Sequence, residues 1–108
     1  ETYHLFNDET FAKMKPGAYL INAARGSIVD TGALLRTLES GRLSGAALDT
    51  FESEPLQKDD PLLTCGKVIC TPHTGAETRE TYRRVSLSVA QDVIDVLAGK
   101  PPKHPVHA

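Results

Sequence analysis

The sequence predicts an α/β fold, a parallel β-sheet with flanking helices. Three observations lead there. Short apolar runs recur at Ala18-Tyr19-Leu20-Ile21, Gly45-Ala46-Ala47-Leu48 and Val68-Ile69-Cys70. They lack polar alternation, the pattern of strands covered on both faces. Stretches of helical period fall before, between and after these runs. Each run then gives way to polar residues capable of chemistry.

The elements follow in order. Asn7-Asp8 caps a short helix containing Phe11 and Met14. Lys15-Pro16-Gly17 ends it, because proline cannot continue a helix and glycine supplies a turn. The first apolar run is the first strand, and Arg25-Gly26-Ser27 is the loop beyond it. Asp30 stands at the N-cap of a helix bearing Leu34, Leu35 and Leu38, and Gly41 stops that helix. The second strand ends at Asp49. A long polar connection from Phe51 to Gly66 carries Glu54-Pro55 and Asp60-Pro61, with no helix evident before the third strand. Thr71-Pro72-His73 comes directly after that strand. Thr74-Gly75-Ala76-Glu77 matches a capping box for the last helix. That helix has an apolar stripe at Tyr82, Val85, Val89, Val93 and Val96, and Gly99 with Pro101-Pro102 ends it. The crossovers between strands are expected to be right-handed.

A chain of 108 residues is one small domain. A net charge of -2 with 24% charged residues gives no sign of a nucleic-acid or membrane partner. No apolar run is long enough to span a bilayer, and no secretory signal is visible. A cytoplasmic protein is expected, with Cys65 and Cys70 as reduced thiols. Glu1 stands where a start methionine would be, which suggests a fragment or a processed chain. His104 and His107 supply too few ligands for a metal site and read as a surface tail, so no metal is expected.

In open α/β sheets, ligands bind just beyond the carboxyl ends of the strands. That rule selects Arg25 after the first strand, Asp49 at the end of the second and His73 after the third, with Glu54 in the loop leaving the same edge. Each has an ordinary reading taken alone: a solvated arginine, a turn-forming aspartate, a structural histidine, an exposed loop acid. Their shared edge favours a site. The set suits carbonyl reduction. A guanidinium grips a carboxylate through paired hydrogen bonds. An imidazolium gives a proton to a carbonyl oxygen. A carboxylate beside an imidazole orients it and favours its protonated form. Cys70 next to His73 is a weaker nucleophile candidate, because a thiol in a buried run is usually inert.

Three ordered blocks resemble a known family. Met14-Lys15-Pro16-Gly17-Ala18 leads to Asn22-Ala23-Ala24-Arg25-Gly26. Gly45-Ala46-Ala47-Leu48-Asp49 follows with Phe51, Glu54 and Pro55, and then Thr71-Pro72-His73-Thr74-Gly75-Ala76 with Thr78 and Glu80. Their order and spacing are similar to those of the D-isomer-specific 2-hydroxyacid dehydrogenases over nearly the whole chain. The resemblance implies a partial Rossmann-like parallel sheet, a fragment of a two-domain dehydrogenase of the EC 1.1.1 type. Residues 1–76 would be the C-terminal half of the dinucleotide-binding domain. Residues 77–108 would be the helix and tail returning to the substrate domain, with the apolar stripe packed there or near a dimer partner. The resemblance also implies roles. Arg25 would bind the substrate carboxylate and polarise the ketone. His73 would be the acid in reduction and the base in oxidation, with Glu54 paired to it. Asp49 would hold the nicotinamide carboxamide, while Ala23, Ala24, Arg25, His73, Gly75 and Ala76 would line the cofactor. The cofactor would be NAD, with NADP left open. The partners would be a small 2-oxoacid or 2-hydroxyacid and, in the full-length protein, a second copy in a homodimer.

There are departures from the family pattern. Ala23 stands where the family usually has threonine. No Gly-x-Gly-x-x-Gly turn follows a strand, so the pyrophosphate site and the residue selecting NAD or NADP are expected upstream of Glu1. The isolated chain is therefore expected to bind NADH poorly, to be inactive, and to associate or fold loosely through its open edge and apolar faces. Formate dehydrogenases share resemblance at His4, Asn7-Asp8-Glu9-Thr10 and Glu39-Ser40-Gly41-Arg42-Leu43 but carry glutamine where Glu54 stands, so Glu54 favours a hydroxyacid. NAD-binding corepressor-like proteins of the same fold, which act through protein partners, are the alternative reading.

Overall fold

The computed structural model describes residues 2–106. The expectations attached to Glu1 and His107 lie outside them. The chain divides into two compact units, Glu1–Gly75 and Ala76–Ala108.

In the first unit, helix α1 (Asp8–Lys13) begins at Asn7, whose side chain accepts from the amides of Glu9 and Thr10. The Thr10 hydroxyl answers on the Asn7 amide, closing a capping box. At the other end, Arg42 donates to the carbonyls of Phe11, Ala12 and Met14, groups that a helix terminus leaves without partners. Gly17, at φ +80°, turns the chain into strand β1 (Ala18–Asn22). A 3₁₀ turn, Gly26–Ile28, occupies part of the loop expected there. Helix α2 (Thr31–Glu39) starts at Asp30, which accepts from the Ala33 amide, and Gly41 follows it at φ +76°. Strand β2 (Leu43–Leu48) comes next. The connection read as having no helix contains a single turn, α3 (Pro61–Thr64), with Asp60 capping and Pro61 at its first position. Strand β3 (Val68–Cys70) completes a three-stranded parallel sheet in the order β1-β2-β3.

The core is one cluster. Phe11, Leu34, Leu38 and Leu43 are fully buried in it, joined by Leu20, Val29, Ala46, Leu48 and Leu62. It corrects one expectation, because the strands are covered on one face only within this unit. Leu20 and Leu48 point into the core, while Tyr19, Ile21 and Ile69 on the opposite face are 71%, 78% and 69% exposed. Alternation of side chains across a strand explains the split, since neighbouring residues face opposite sides.

The second unit is helix α4 (Arg79–Leu97) and the tail after it. Its start also corrects an expectation. The cap is Thr78, which accepts from the Thr81 amide, and not Thr74. The Thr74 amide is bonded to the Asp49 carboxylate, so it stands in a turn that a tertiary contact holds. Gly99, at φ +75°, ends the helix as expected. Asp92 accepts from the Lys103 amide and from His104, fixing the tail against its own helix. No helix among the described residues is long and apolar enough to cross a membrane.

Candidate functional site

Three chain segments leave the carboxyl edge of the sheet, and hydrogen bonds join them there. The Asp49 amide donates to Asn22 O at 2.9 Å, and the Thr71 amide to Leu48 O at 3.0 Å, extending the strand ladder past the last strand residues. The groups selected from sequence therefore emerge from a fixed edge.

Asn22 braces the first segment. Buried at the end of β1, it accepts from the Ala24 amide through Oδ1 and donates from Nδ2 to Arg25 O. The turn carrying Ala23, Ala24 and Arg25 is thus held from below, and all three residues are exposed. Arg25 donates through Nη1 to Ala24 O at 2.7 Å. Gly26, buried beside it, lies hard against the Phe51 backbone, and a Cβ there would fall 1.9 Å from Phe51 C. Only glycine allows that approach, which brings the arginine loop against the loop bearing Glu54.

Asp49, at the end of β2, is an organised acceptor. It takes hydrogen bonds from the Thr71 hydroxyl at 2.6 Å, the Thr74 amide at 2.9 Å and the Gly75 amide at 2.8 Å. The Thr71 hydroxyl, then those two amides, hold its carboxyl below the usual carboxylate range. One carboxylate thereby ties β2 to the turn after β3.

Glu54 and His73 meet in the structure. His73 Nδ1 lies 2.8 Å from Glu54 Oε2, while Glu54 Oε1 accepts from the Phe51 amide at 2.9 Å. The bond from His73, then that from Phe51, lowers the Glu54 carboxyl below its ordinary value, and Arg25 adds to the effect. A carboxylate on Nδ1 sets the ring's orientation and leaves Nε2 to exchange a proton with another molecule. His73 has φ 55°, a left-handed backbone that histidine tolerates better than most residues. The Glu54–Pro55 peptide bond is cis. Beside the pair opens a cleft of about 550 Å³, lined by Phe51, Pro55, Leu56, Leu63 and Cys70 among others. Burial pushes the Cys70 thiol up, away from the reactive thiolate, and both cysteines are free.

The structure thus brings Glu54 to His73 and packs the Arg25 turn on the Glu54 loop. Gly75 sits on Asp49, whereas Ala76 belongs to the second unit. Sequence reasoning missed the brace at Asn22 and a second histidine–acid pair, His4 with Glu52. The first had a signal in the apolar strand that ends in asparagine. The second had none, because its members are far apart in the chain. Among the described residues no group of three or more His, Cys, Asp or Glu could hold a metal.

The carboxyl edge of the parallel sheet presents a guanidinium, a fixed carboxylate and a carboxylate-bound imidazole. Comparison with known proteins places this fold in a family. Residues 1–75 match the model of the D-isomer specific 2-hydroxyacid dehydrogenase NAD binding domain. Glyoxylate/hydroxypyruvate reductase B of Shigella boydii is 47% identical over 107 residues, 99% of this chain and 33% of that protein. The D-lactate dehydrogenase of Lactobacillus jensenii, solved with NAD+, superposes with a TM-score of 0.85 at 33% identity, covering 99% of this chain and 36% of that one. A D-isomer specific 2-hydroxyacid dehydrogenase of Xanthobacter autotrophicus, solved with NADPH, gives a TM-score of 0.83 at 36% identity, covering 98% and 43%. The chain belongs to the D-isomer specific 2-hydroxyacid dehydrogenase family, in its NAD-binding domain. It spans about a third of the length of the curated relatives it matches. Those relatives are reductases and dehydrogenases, which does not favour the corepressor-like reading.

Proposed function

We propose that this chain supplies the acid–base and substrate-carboxylate groups of an NAD(P)-dependent D-2-hydroxyacid dehydrogenase. The carrying observation is the 2.8 Å contact between His73 Nδ1 and Glu54 at the edge that also bears Arg25. On this reading, residues 1–76 form half of the dinucleotide domain, and residues 77–108 return toward a substrate domain or a second copy. The relatives' names direct the substrate assignment to small 2-oxoacids such as glyoxylate and hydroxypyruvate.

The residues present fit the nicotinamide end of a dinucleotide. Asp49 is an ionised acceptor suited to a carboxamide, Ala23 and Ala24 are small and exposed, and Gly75 leaves room where a Cβ would come within 2.8 Å of Asp49. Bound NAD(P)H would supply the hydride. Arg25 would pair with the substrate carboxylate and place the ketone before His73. Protonated His73, oriented by Glu54, would give the Nε2 proton to the ketone oxygen; in oxidation the neutral ring would take it back from the hydroxyl. The apolar cleft beside the pair would shield this exchange from water.

The test is turnover by the full-length polypeptide carrying these residues. NADH and NADPH oxidation is measured with glyoxylate, hydroxypyruvate, pyruvate and branched 2-oxoacids. Reduction of one or more is expected. A folded protein that turns over none of them contradicts the proposal.

A further inference from the structure

One loop carries two histidine–carboxylate pairs. Glu54 meets His73, and two residues earlier Glu52 Oε1 meets Nε2 of His4 at 2.5 Å. The other oxygen of Glu52 accepts from the amide of Thr31, the first residue of α2. Partial burial pushes the Glu52 carboxyl up, but the hydrogen bonds from Thr31 and His4 outweigh it and leave it below its ordinary value.

His4 is itself held in place. Its amide donates to Ser27 O at 2.9 Å, its carbonyl accepts from Asn7 Nδ2, and the Tyr3 ring stacks on it at 3.9 Å. Its backbone sits at φ 50°, and Asp30 stands 3.9 Å from Nδ1. Ser27 lies two residues beyond Arg25. The His4–Glu52 contact therefore bridges the arginine loop to the Glu54 loop.

Apart from the Gly26 contact at Phe51 and the bond from the Phe51 amide to Glu54, the Glu54 loop has little burial. Phe51 and Leu56 are half-buried against the core, and the four residues between them are exposed. The His4 and Glu52 side chains keep 30% and 32% of their surface in solvent, so the pair adds little to global stability. Its geometric consequence is larger, because a loop with so little burial takes its position from its polar anchors.

We propose that His4 and Glu52 are positioning residues: their pair, anchored on the start of α2, fixes the loop so that Glu54 stays on Nδ1 of His73. This rests on the reading of Glu54 and His73 as the acid–base pair. Neither His4 nor Glu52 touches the substrate in this scheme.

The test follows the Glu54 carboxyl carbon by NMR as a function of pH, in the full-length polypeptide carrying these residues. Glu52→Ala removes the anchor, and Glu54 is expected to titrate about half a unit higher as its bond to His73 loosens. A purely electrostatic role predicts the opposite sign, since loss of a nearby negative charge makes Glu54 easier to ionise. Glu52→Gln keeps an acceptor for Thr31 and reach toward His4, and is expected to show no rise. In a His73→Asn background the rise on Glu52→Ala should vanish, because the bond it acts through is gone. Asp49 is the internal control, and its lowered titration should persist in every variant. A fall of the Glu54 midpoint in Glu52→Ala overturns the proposal, as does an equal rise in the His73→Asn background or a parallel rise at Asp49. His4→Asn, which tolerates the left-handed backbone, runs the same cycle if Glu52→Ala does not fold. If His73→Asn alone leaves Glu54 unmoved, the pairing of Glu54 with His73 fails, a result separate from failure of the anchor.

Discussion

Helices α2 and α4 carry the same kind of apolar stripe and have opposite surroundings. In its nine residues α2 buries Ala33, Leu34, Thr37 and Leu38. In its 19 residues α4 buries none, and Val85, Val89, Val93 and Val96 remain exposed. Both satisfy the helical period, so the period assigns an apolar face without assigning what covers it. For α2 the cover is the sheet and α1. For α4 the proposed cover is the substrate domain or a second copy. The sheet shows the same division, with Leu20 in the core and Tyr19 beside it in solvent.

The largest expected effect breaks the core side of that contrast. Leu34→Ala empties a fully buried site in α2 and is expected to cost about 3 kcal/mol in urea unfolding. In the 108-residue chain, where its stripe is uncovered, Val89→Ala in α4 should change the same unfolding free energy by less than about 0.5 kcal/mol. Equal costs would mean that the stripe of α4 is covered in solution. Gly26→Ala comes next. Its methyl would meet the Phe51 backbone, and a destabilisation of about 2 kcal/mol is expected, together with displacement of the Glu54 loop seen as changed Phe51 and Glu54 amide shifts. Asp30→Ala removes the α2 cap and is expected to cost about 1 kcal/mol by the same unfolding assay.

The smallest effect is one of pH. The folded Asp49 carboxyl titrates below its unfolded value. Its contribution is therefore present above the unfolded value and is lost as pH falls through the folded one. Acidification should free the Thr74 and Gly75 amides that it holds, and their hydrogen exchange should show faster opening below that point. Asp49→Asn should remove most of this pH dependence.

The same contrast between local and distant partners explains what the sequence made legible. Asp30 and Gly41 mark both ends of α2 because capping acts within a turn of the helix. The one-turn α3 was signalled by Asp60-Pro61, but four residues are too few for a visible period. Thr74 to Glu77 has the spacing of a capping box, yet Asp49, distant in sequence, takes the Thr74 amide and the helix is capped at Thr78. In the site, Arg25, Asp49 and His73 were legible because strand ends are, and Glu54 because its loop leaves the same edge. The His4–Glu52 contact and the brace at Asn22 depend on tertiary approach that no local pattern records.

The proposed role of His73, held by Glu54, is to move the proton in reduction of a 2-oxoacid. The direct measurement is kcat/KM for hydroxypyruvate reduction by the full-length polypeptide and its His73→Asn variant, with NADH and NADPH. Asparagine tolerates the left-handed backbone at this position and cannot carry the proton. A loss of about 10²- to 10⁴-fold is expected with the fold intact. A folded variant that keeps rates within about twofold of wild type would contradict the account, because general acid catalysis by His73 would then contribute almost nothing.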